Sequence, residues 1–537
     1  MAARGENPFR TKHGCVSGTA HPSFPAVRYR GVVKKLCATL LSFCLMTPLA
    51  NATWSIILVD HATGEVAIAS ATCLTNFSLE LFVPAIVVGK GALAAQSAVD
   101  AGGGNRMIGV DLLIADATPD DVLNALLTIG STPNSRQYGI AAFSGPAATY
   151  SGSVAGDALG NVVGQIGTIT YAIQGNVLVG SEPVFAAEEA LRGTDGDIGQ
   201  RMMAAMQAAK ALGGDGRCSC TGADPTGCGV PPPNFTKSAH CGFVYVARMG
   251  DTDGDCGPAG CANGDYYMAL AYSGNFSDPD PVDVLQISYD AWRLALQARP
   301  DGILSRVALS ADSVPADGAT AALVTVSLVD LNGTPLTSGG ATLSVSLSAE
   351  STADAGIGAV LDNGDGTYSF EVSAGSLVGL AELVIIADDG VEAATIYPYP
   401  TLQVETLQAM HVGRLSLDPL LGGSVPLTVN APQSEGGIMI VLASLSGTVP
   451  GLPVGNLNLP LNYDPILQWT FSNPNTGLLE GTLGVLGLNG RAQARFVAPP
   501  SLLLPALGLR VDWAALHSFN GVNGVTNADG FDIRIGG

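Results

Sequence analysis

The chain has 537 residues, too many for one hydrophobic core; at roughly 150 residues per domain, three or four units are expected. Charged residues make up 13% and hydrophobic residues 47%, with 68 glycines, a globular composition that excludes a disordered chain. The formal charge of −22 becomes −28 without residues 1–52, which carry seven basic residues and one acid, and so acidic a surface excludes nucleic acid as a partner.

In chain order, a long basic n-region ends in Lys34-Lys35, and the apolar run Leu36–Leu49 follows. The run closes on Pro48-Leu49-Ala50-Asn51-Ala52, an A-x-A site. These three parts predict a cleaved signal peptide, 1–52, and a mature chain that begins at Thr53. The competing reading is a retained anchor, for which the run is short. Phe43 before Cys44 is too bulky for a lipoprotein signal. No later stretch of about 18 apolar residues follows, so no membrane insertion is expected after cleavage. The expected location is secreted, periplasmic or extracellular, of bacterial type.

Residues 53–300 read as one α/β unit. Trp54–Val59 and Glu65–Ser70 form a hairpin through the turn Asp60–Gly64, and Val83–Val88 with Ala92–Ala98 form a second through Gly89-Lys90-Gly91. Thr118-Pro119-Asp120-Asp121 places an N-cap, a first-turn Pro and two acids at a helix start. Helices are expected from Ser181 to Leu212 and over Val282–Gln297, with strands at Val244–Arg248 and Tyr266–Tyr272. Hairpins flanking helices predict a layered αββα sandwich. Cys218, Cys220, Cys228, Cys241, Cys256 and Cys261 form a Cys-rich insertion, 218–261, expected to hold three disulfides rather than zinc, with Cys73 left as a buried thiol.

From residue 301 the pattern is all-β. Leu323–Val329 and Ala341–Leu347 are strand-like, and Asn363-Gly364-Asp365-Gly366-Thr367-Tyr368 turns into another strand. The Ala316–Thr320 and Asp365–Tyr368 segments resemble the bacterial immunoglobulin-like modules of invasin/intimin type, which implies a β-sandwich over 301–396. Tyr397-Pro398-Tyr399-Pro400 is read as a linker, because alternating Pro supports neither helix nor central strand. A second β-sandwich is expected over 401–537; Leu445–Gly451 in it resembles a module found at the ends of secreted bacterial proteins.

An N-terminal Thr53 would carry nucleophile and base in one residue. Its hydroxyl can attack a carbonyl while its own α-amine, with an ordinary pKa near 8, takes the proton. Set against this, Thr53 is simply a β-prone residue at the start of a strand. Four stretches weigh on the choice: Thr53-Trp-Ser-Ile56 with Gly64–Ser70, Gly91–Gln96, Arg136-Gln-Tyr-Gly139, and Tyr171–Gly180. They resemble the domain-of-unknown-function family 1028, grouped with the N-terminal-nucleophile hydrolases. The resemblance implies an αββα fold whose first strand opens at the mature N-terminus. Around Thr53 the candidate residues are Ser70, placed beside it by strand pairing, and Gln96, Gln174 and Asn176, whose amides suit an oxyanion hole or substrate clamp. Their bland role is to pin turns.

Asp251, Asp253 and Asp255 stand at alternate positions like the start of a calcium loop, with Asp265 as a further ligand if a Cys256–Cys261 bridge holds the loop. Against this, position six is Cys256 and position twelve is Ala262. A structural calcium is the one cofactor this allows. Two functions stay open: an N-terminal-threonine amidohydrolase acting on an amide or related acyl bond of a small or peptide-like substrate, and a non-catalytic binding or surface protein. The β-sandwich modules suit contact with a cell surface or extracellular polymer, and a homo-oligomer is compatible with either function.

Overall fold

The computed structural model describes residues 52–258 and 260–536, so the leader, Ala52 apart, lies outside the described residues. The first unit contains β1 (Thr53–Asp60), β2 (Glu65–Thr72), β3 (Pro84–Val87), β4 (Gly91–Ser97), α1 (Gly104–Ile114), α2 (Pro119–Thr128), β5 (Arg136–Ala142) and β6 (Gly145–Ser151). It continues with β7 (Gly160–Ile166), β8 (Ile169–Asn176), α3 (Glu182–Gly193), α4 (Ile198–Ala211), the short α5 (Gly216–Ser219), β9 (Cys241–Ala247), β10 (Met268–Ser273) and α6 (Pro281–Ala295).

The strands form two antiparallel sheets, ordered β10-β9-β2-β1-β8-β7 and β3-β4-β5-β6. β1 is central in the first because its two faces bury different cores. Trp54, Ile56 and Leu58 pack outward under α3, α4 and α6, while Ile57 and Val59 face the second sheet. A third cluster, with Leu93, Ile140, Leu113 and Leu126, sits between that sheet and α1 and α2. The result is four layers: helices, sheet, sheet, helices. The start expected for α2 is formed as a capping box between Thr118 and Asp121.

The next unit is a sandwich of two sheets around a core that includes Val324, Tyr368, Phe370, Leu383 and Ile385. The Tyr368 hydroxyl accepts the Ala341 N–H at 3.0 Å. Thr401–Glu405, expected to open the C-terminal unit, is instead a strand of this sandwich. Both Ala393–Ile396 and Thr401–Glu405 pair with Gly379–Asp388, and Pro398 and Pro400 only interrupt that edge. The last unit packs two further sheets around Trp513, Phe496 and Phe531, beginning at Met410–Val412. Among the described residues no helix is long and apolar enough to cross a membrane.

The α/β unit and the first sandwich meet through buried charge. Arg248, just past β9, binds Glu65 at 2.7 Å and Asp301 at 2.8 Å, and both carboxylates are 3% exposed. Nearby, a Cβ on Gly64, a residue with φ +71°, would lie 2.8 Å from the Tyr397 ring, so only glycine lets the β1–β2 turn approach that closely. Beside this joint lies a crevice of about 470 Å³ lined by Asp197, Arg248, Tyr267, Trp292, Asp301 and Asn332 among others.

Candidate functional site at the start of β1

Thr53 is the first residue of β1, flanked by Asn176 on β8 and by the end of β2. β2 runs on to Thr72, two residues beyond the expected end. In the hairpin register Ser70 lies opposite Ser55, so the residue that meets Thr53 is Thr72. The Thr53 and Thr72 hydroxyls are 3.3 Å apart. Ser70 instead donates to the Trp54 carbonyl at 2.8 Å and lies 3.0 Å from Ser55 Oγ. The expectation that Ser70 stands beside Thr53 is corrected: the turn pairs Asp60 with Glu65, and in that register Ser70 faces Ser55 while Thr72 comes opposite Thr53.

Gln96, on β4 of the facing sheet, joins the two sheets. Its Nε2 donates to the Thr53 carbonyl at 2.8 Å and to Gln137 Oε1 at 2.7 Å, and its Oε1 accepts from Ser55 Oγ at 2.5 Å. Gln137 passes the chain on to Gly175 O at 2.9 Å and Ser151 Oγ at 2.8 Å. Asn176 donates to the Ala155 carbonyl at 2.9 Å. Gln174 is not brought to Thr53. It is fully buried opposite Ser55, neither amide atom is hydrogen-bonded, and it presses on Gly139, where any Cβ would collide with it. The structure therefore gathers Thr53, Gln96 and Asn176, and sets Ser70 and Gln174 two pairs further along, opposite Ser55.

What the sequence reading missed is a cradle around the Ala52 carbonyl oxygen. That oxygen accepts from Thr53 Oγ1 at 2.6 Å, Thr72 Oγ1 at 2.5 Å and Arg217 Nη2 at 2.9 Å. Arg217 is aimed by Asp215, a fully buried carboxylate that takes its Nη2 at 2.7 Å and its Nε at 3.1 Å, and that also accepts the Cys73 N–H at 2.7 Å. The Cys73–Cys218 disulfide ties the residues that follow Thr72 and Arg217 to each other. Two hydroxyls and a guanidinium around one carbonyl oxygen are the donors that would stabilise charge developing on it. No spacing rule links positions 72 and 217; only the bridged cysteines beside them carried a signal, and Cys73 was expected to be free.

Thr53 itself is 2% exposed. The adjoining pocket, walled by Leu74, Phe77, Phe82, Val83 and Val99, encloses about 10 Å³, room for about one water. Lys90 pairs with Asp116 at the surface, as a turn lysine would.

The cysteines pair as Cys73–Cys218, Cys220–Cys228 and Cys256–Cys261, with Cys241 buried and free. Three bridges form, but Cys73 and Cys241 exchange the roles expected for them. Cys241 begins β9, opposite Thr72 in the sheet, where its thiol faces the Leu74 carbonyl. Cys73 leaves the sheet beside α5, within reach of Cys218.

Two of the acids expected to form a calcium loop are engaged by backbone N–H groups. Among the described residues, no three of Asp251, Asp253, Asp255 and Asp265 bring ligand atoms within 4.8 Å of one another. Asp251 caps its own turn, accepting the N–H groups of Arg248 at 2.8 Å and Tyr267 at 2.7 Å, and Asp253 accepts that of Val88 at 3.0 Å. Burial pushes the Asp251 carboxyl up to about 6, against the pull of those two N–H groups.

Residues 53–223 match the sequence model of a family of unknown function, family 1028, and residues 301–397 match that of invasin domain 3. No curated protein matches the chain. Among solved structures, a family-1028 protein from Silicibacter pomeroyi is 20% identical over 45% of this chain and 88% of its own, with a TM-score of 0.32. The adhesin InvE of Yersinia pseudotuberculosis is 17% identical over 43% of this chain and 59% of its own, with a TM-score of 0.17. Invasin, a bacterial integrin-binding protein, is 10% identical over 89% of this chain and 60% of its own, with a TM-score of 0.17. The chain is thus a multidomain protein with a family-1028 domain followed by an invasin-domain-3 module and a further all-β unit.

Proposed function

We propose that this chain is an extracellular, non-catalytic binding protein whose ligand lodges at the joint between the four-layer domain and the first β-sandwich. The observation that carries this reading is the contrast between two cavities. Ligand sites commonly enclose roughly 300–1,000 Å³. The joint crevice, at about 470 Å³, falls within that range, whereas the pocket at Thr53, with the Ala52 carbonyl in place, encloses about 10 Å³. Trp292 gives the crevice an aromatic wall, and Asp197, Arg293 and Asn332 give it polar groups that can orient a ligand. Three disulfides and an invasin-type module suit an extracellular location. The test is solid-phase binding to a panel of extracellular glycans and matrix polymers. Saturable binding weakened about tenfold or more by Trp292→Ala supports the reading. Absence of binding to every polymer, with acyl hydrolysis that Thr53→Ala abolishes, overturns it.

The second reading is an N-terminal-nucleophile hydrolase on an αββα sandwich, and the cradle on the Ala52 carbonyl favours it. Cleavage after Ala52 would free the Thr53 amine next to its own hydroxyl and leave Thr72 and Arg217 to hold a substrate carbonyl. N-terminal sequencing combined with an acyl-substrate panel decides. A mature start other than Thr53 removes the mechanism.

A further inference from the structure

At the joint between the two β-sandwiches lies a side-chain cluster with the chemistry of a ligand set. Glu405 closes the strand Thr401–Glu405, His411 is the middle of Met410–Val412, and Asp529 opens Asp529–Ile533. One ligand atom from each residue lies within 4.8 Å of the other two. His411 is 2% exposed, and its Nδ1 has no hydrogen-bond partner although Glu405 Oε2 is only 3.3 Å away. The other ring nitrogen, Nε2, is 3.3 Å from Ser313 Oγ, so a proton held there leaves the Nδ1 lone pair facing the Glu405 carboxylate, with Asp529 in the same cluster.

We propose that Glu405, His411 and Asp529 bind one divalent transition-metal ion, of the Zn²⁺ class, which clasps the two β-sandwiches together. The Nδ1–Oε2 separation fits a shared ion better than a closed hydrogen bond. A charge-assisted N–H···O bond would close to about 2.7–2.9 Å. Tetrahedral zinc, with bonds of about 2.0–2.1 Å to nitrogen and oxygen, holds its ligand atoms about 3.3 Å apart. The observed 3.3 Å between Nδ1 and Oε2, with no aligned hydrogen bond, matches the second.

The surroundings are arranged as a metal's outer shell would be. Asp529 Oδ2 accepts the Val412 N–H at 2.7 Å, its Oδ1 accepts the Gly530 N–H at 2.8 Å, and Arg510 Nη2 stands 3.7 Å from Oδ1. Ser313 orients the imidazole. Glu405 and Asp529 are 28% and 22% exposed, which leaves an entry path and a coordination position for water. An imidazole ligand favours zinc-class metals over calcium, which takes oxygen. The proposal is independent of whether Thr53 is catalytic.

The test is isothermal titration of the EDTA-stripped, desalted full chain with ZnCl₂, read together with thermal melting. The expected result is one saturable equivalent per chain, with a melting temperature raised by zinc. His411→Ala and Glu405→Gln should each weaken that equivalent about tenfold or more and remove the zinc-dependent rise. Glu405→Gln keeps size and lies at the partly exposed rim, so it reports even if His411→Ala fails to fold. A chain that takes up no zinc saturably, or a Glu405→Gln variant that binds it as tightly as wild type, overturns the proposal.

Discussion

Thr53 and Thr72 stand with their hydroxyls 3.3 Å apart, and both converge on the carbonyl of Ala52, the residue that precedes the strand. That convergence depends on the sheets holding their register, and Gln96, together with Gln137, spans them. From the facing sheet Gln96 Nε2 donates to the Thr53 carbonyl and its Oε1 accepts from the Ser55 hydroxyl, while the same Nε2 also reaches Gln137 Oε1 on the neighbouring strand.

Replacing Gln96 by Met keeps volume while stranding those buried groups. Each unsatisfied buried group costs about 1–3 kcal/mol, so a loss of about 3 kcal/mol is expected for Gln96→Met. Thr53→Ala, which removes a hydroxyl already satisfied locally, should cost about 1 kcal/mol. Urea unfolding of the two variants checks the order; equal losses would show that the amide does not hold the layers together.

Arg248 sits between Glu65 and Asp301 with little solvent access. Burial alone would raise the Asp301 carboxyl, but Arg248 and the N–H groups of Leu304 and Ile303 outweigh it and hold it below the ordinary range. A depressed carboxyl adds stability above its unfolded pKa and loses it as pH falls through the lower folded value. Arg248→Met should therefore cost about 3–5 kcal/mol at pH 7, because it leaves two carboxylates buried without their cation. The deficit should shrink as pH falls through the lowered folded value of Asp301, where the wild-type advantage at that carboxylate is lost. Melting temperatures of both proteins at pH 7 and pH 3 test this; a deficit constant with pH would point to lost packing instead.

Much of the first unit was readable from local pattern. The β1–β2 hairpin, the Gly91–Ser97 strand and the Thr118 helix start each follow from alternation, turn residues and caps within a few positions. Hidden features depended on pairing across long separations. β2 runs on to Thr72, which the Asp60–Glu65 register sets in the place assigned to Ser70, and nothing within residues 65–72 announces where the strand stops. Arg217 reaches Ala52 through a fold-back of 165 residues. The row Asp251, Asp253, Asp255 has the composition of a cation loop, but backbone N–H groups of the turn, of Tyr267 and of Val88 claim its first two carboxylates. Local composition could not register those competing donors.

Asp251 makes that competition measurable. With its folded carboxyl raised to about 6 by burial, the folded state binds the proton more tightly than the unfolded chain does. The associated stability is fully present below about pH 4 and is lost as pH rises through 6, a decline of about 2–3 kcal/mol. Asp251→Asn keeps an oxygen for the Arg248 and Tyr267 N–H groups and removes the charge, so its urea midpoint should stay flatter between pH 4 and 7 and exceed that of wild type at pH 7. Calcium should leave both midpoints unchanged. A calcium-dependent rise in wild type that the variant lacks would restore the cation loop.

Cys73–Cys218 closes a loop of 145 residues and sets Thr72 and Arg217 on either side of the Ala52 carbonyl. By chain entropy a bridge over so long a loop contributes about 4–5 kcal/mol, the largest share of the three bridges, because closure entropy grows with loop length. Cys220–Cys228 and Cys256–Cys261, with separations of 8 and 5, constrain only their own turns. Alkylation of the unreduced, denatured chain from Thr53 onward should therefore label one cysteine, Cys241, and alkylation of the native chain should label none, since that thiol is fully buried. The paired variant Cys73→Ser with Cys218→Ser should lose several kcal/mol in urea unfolding, whereas Cys220→Ser with Cys228→Ser should lose about half as much or less. Native labelling at Cys73, or equal losses for the two pairs, would show that the long bridge does not anchor the start of β1.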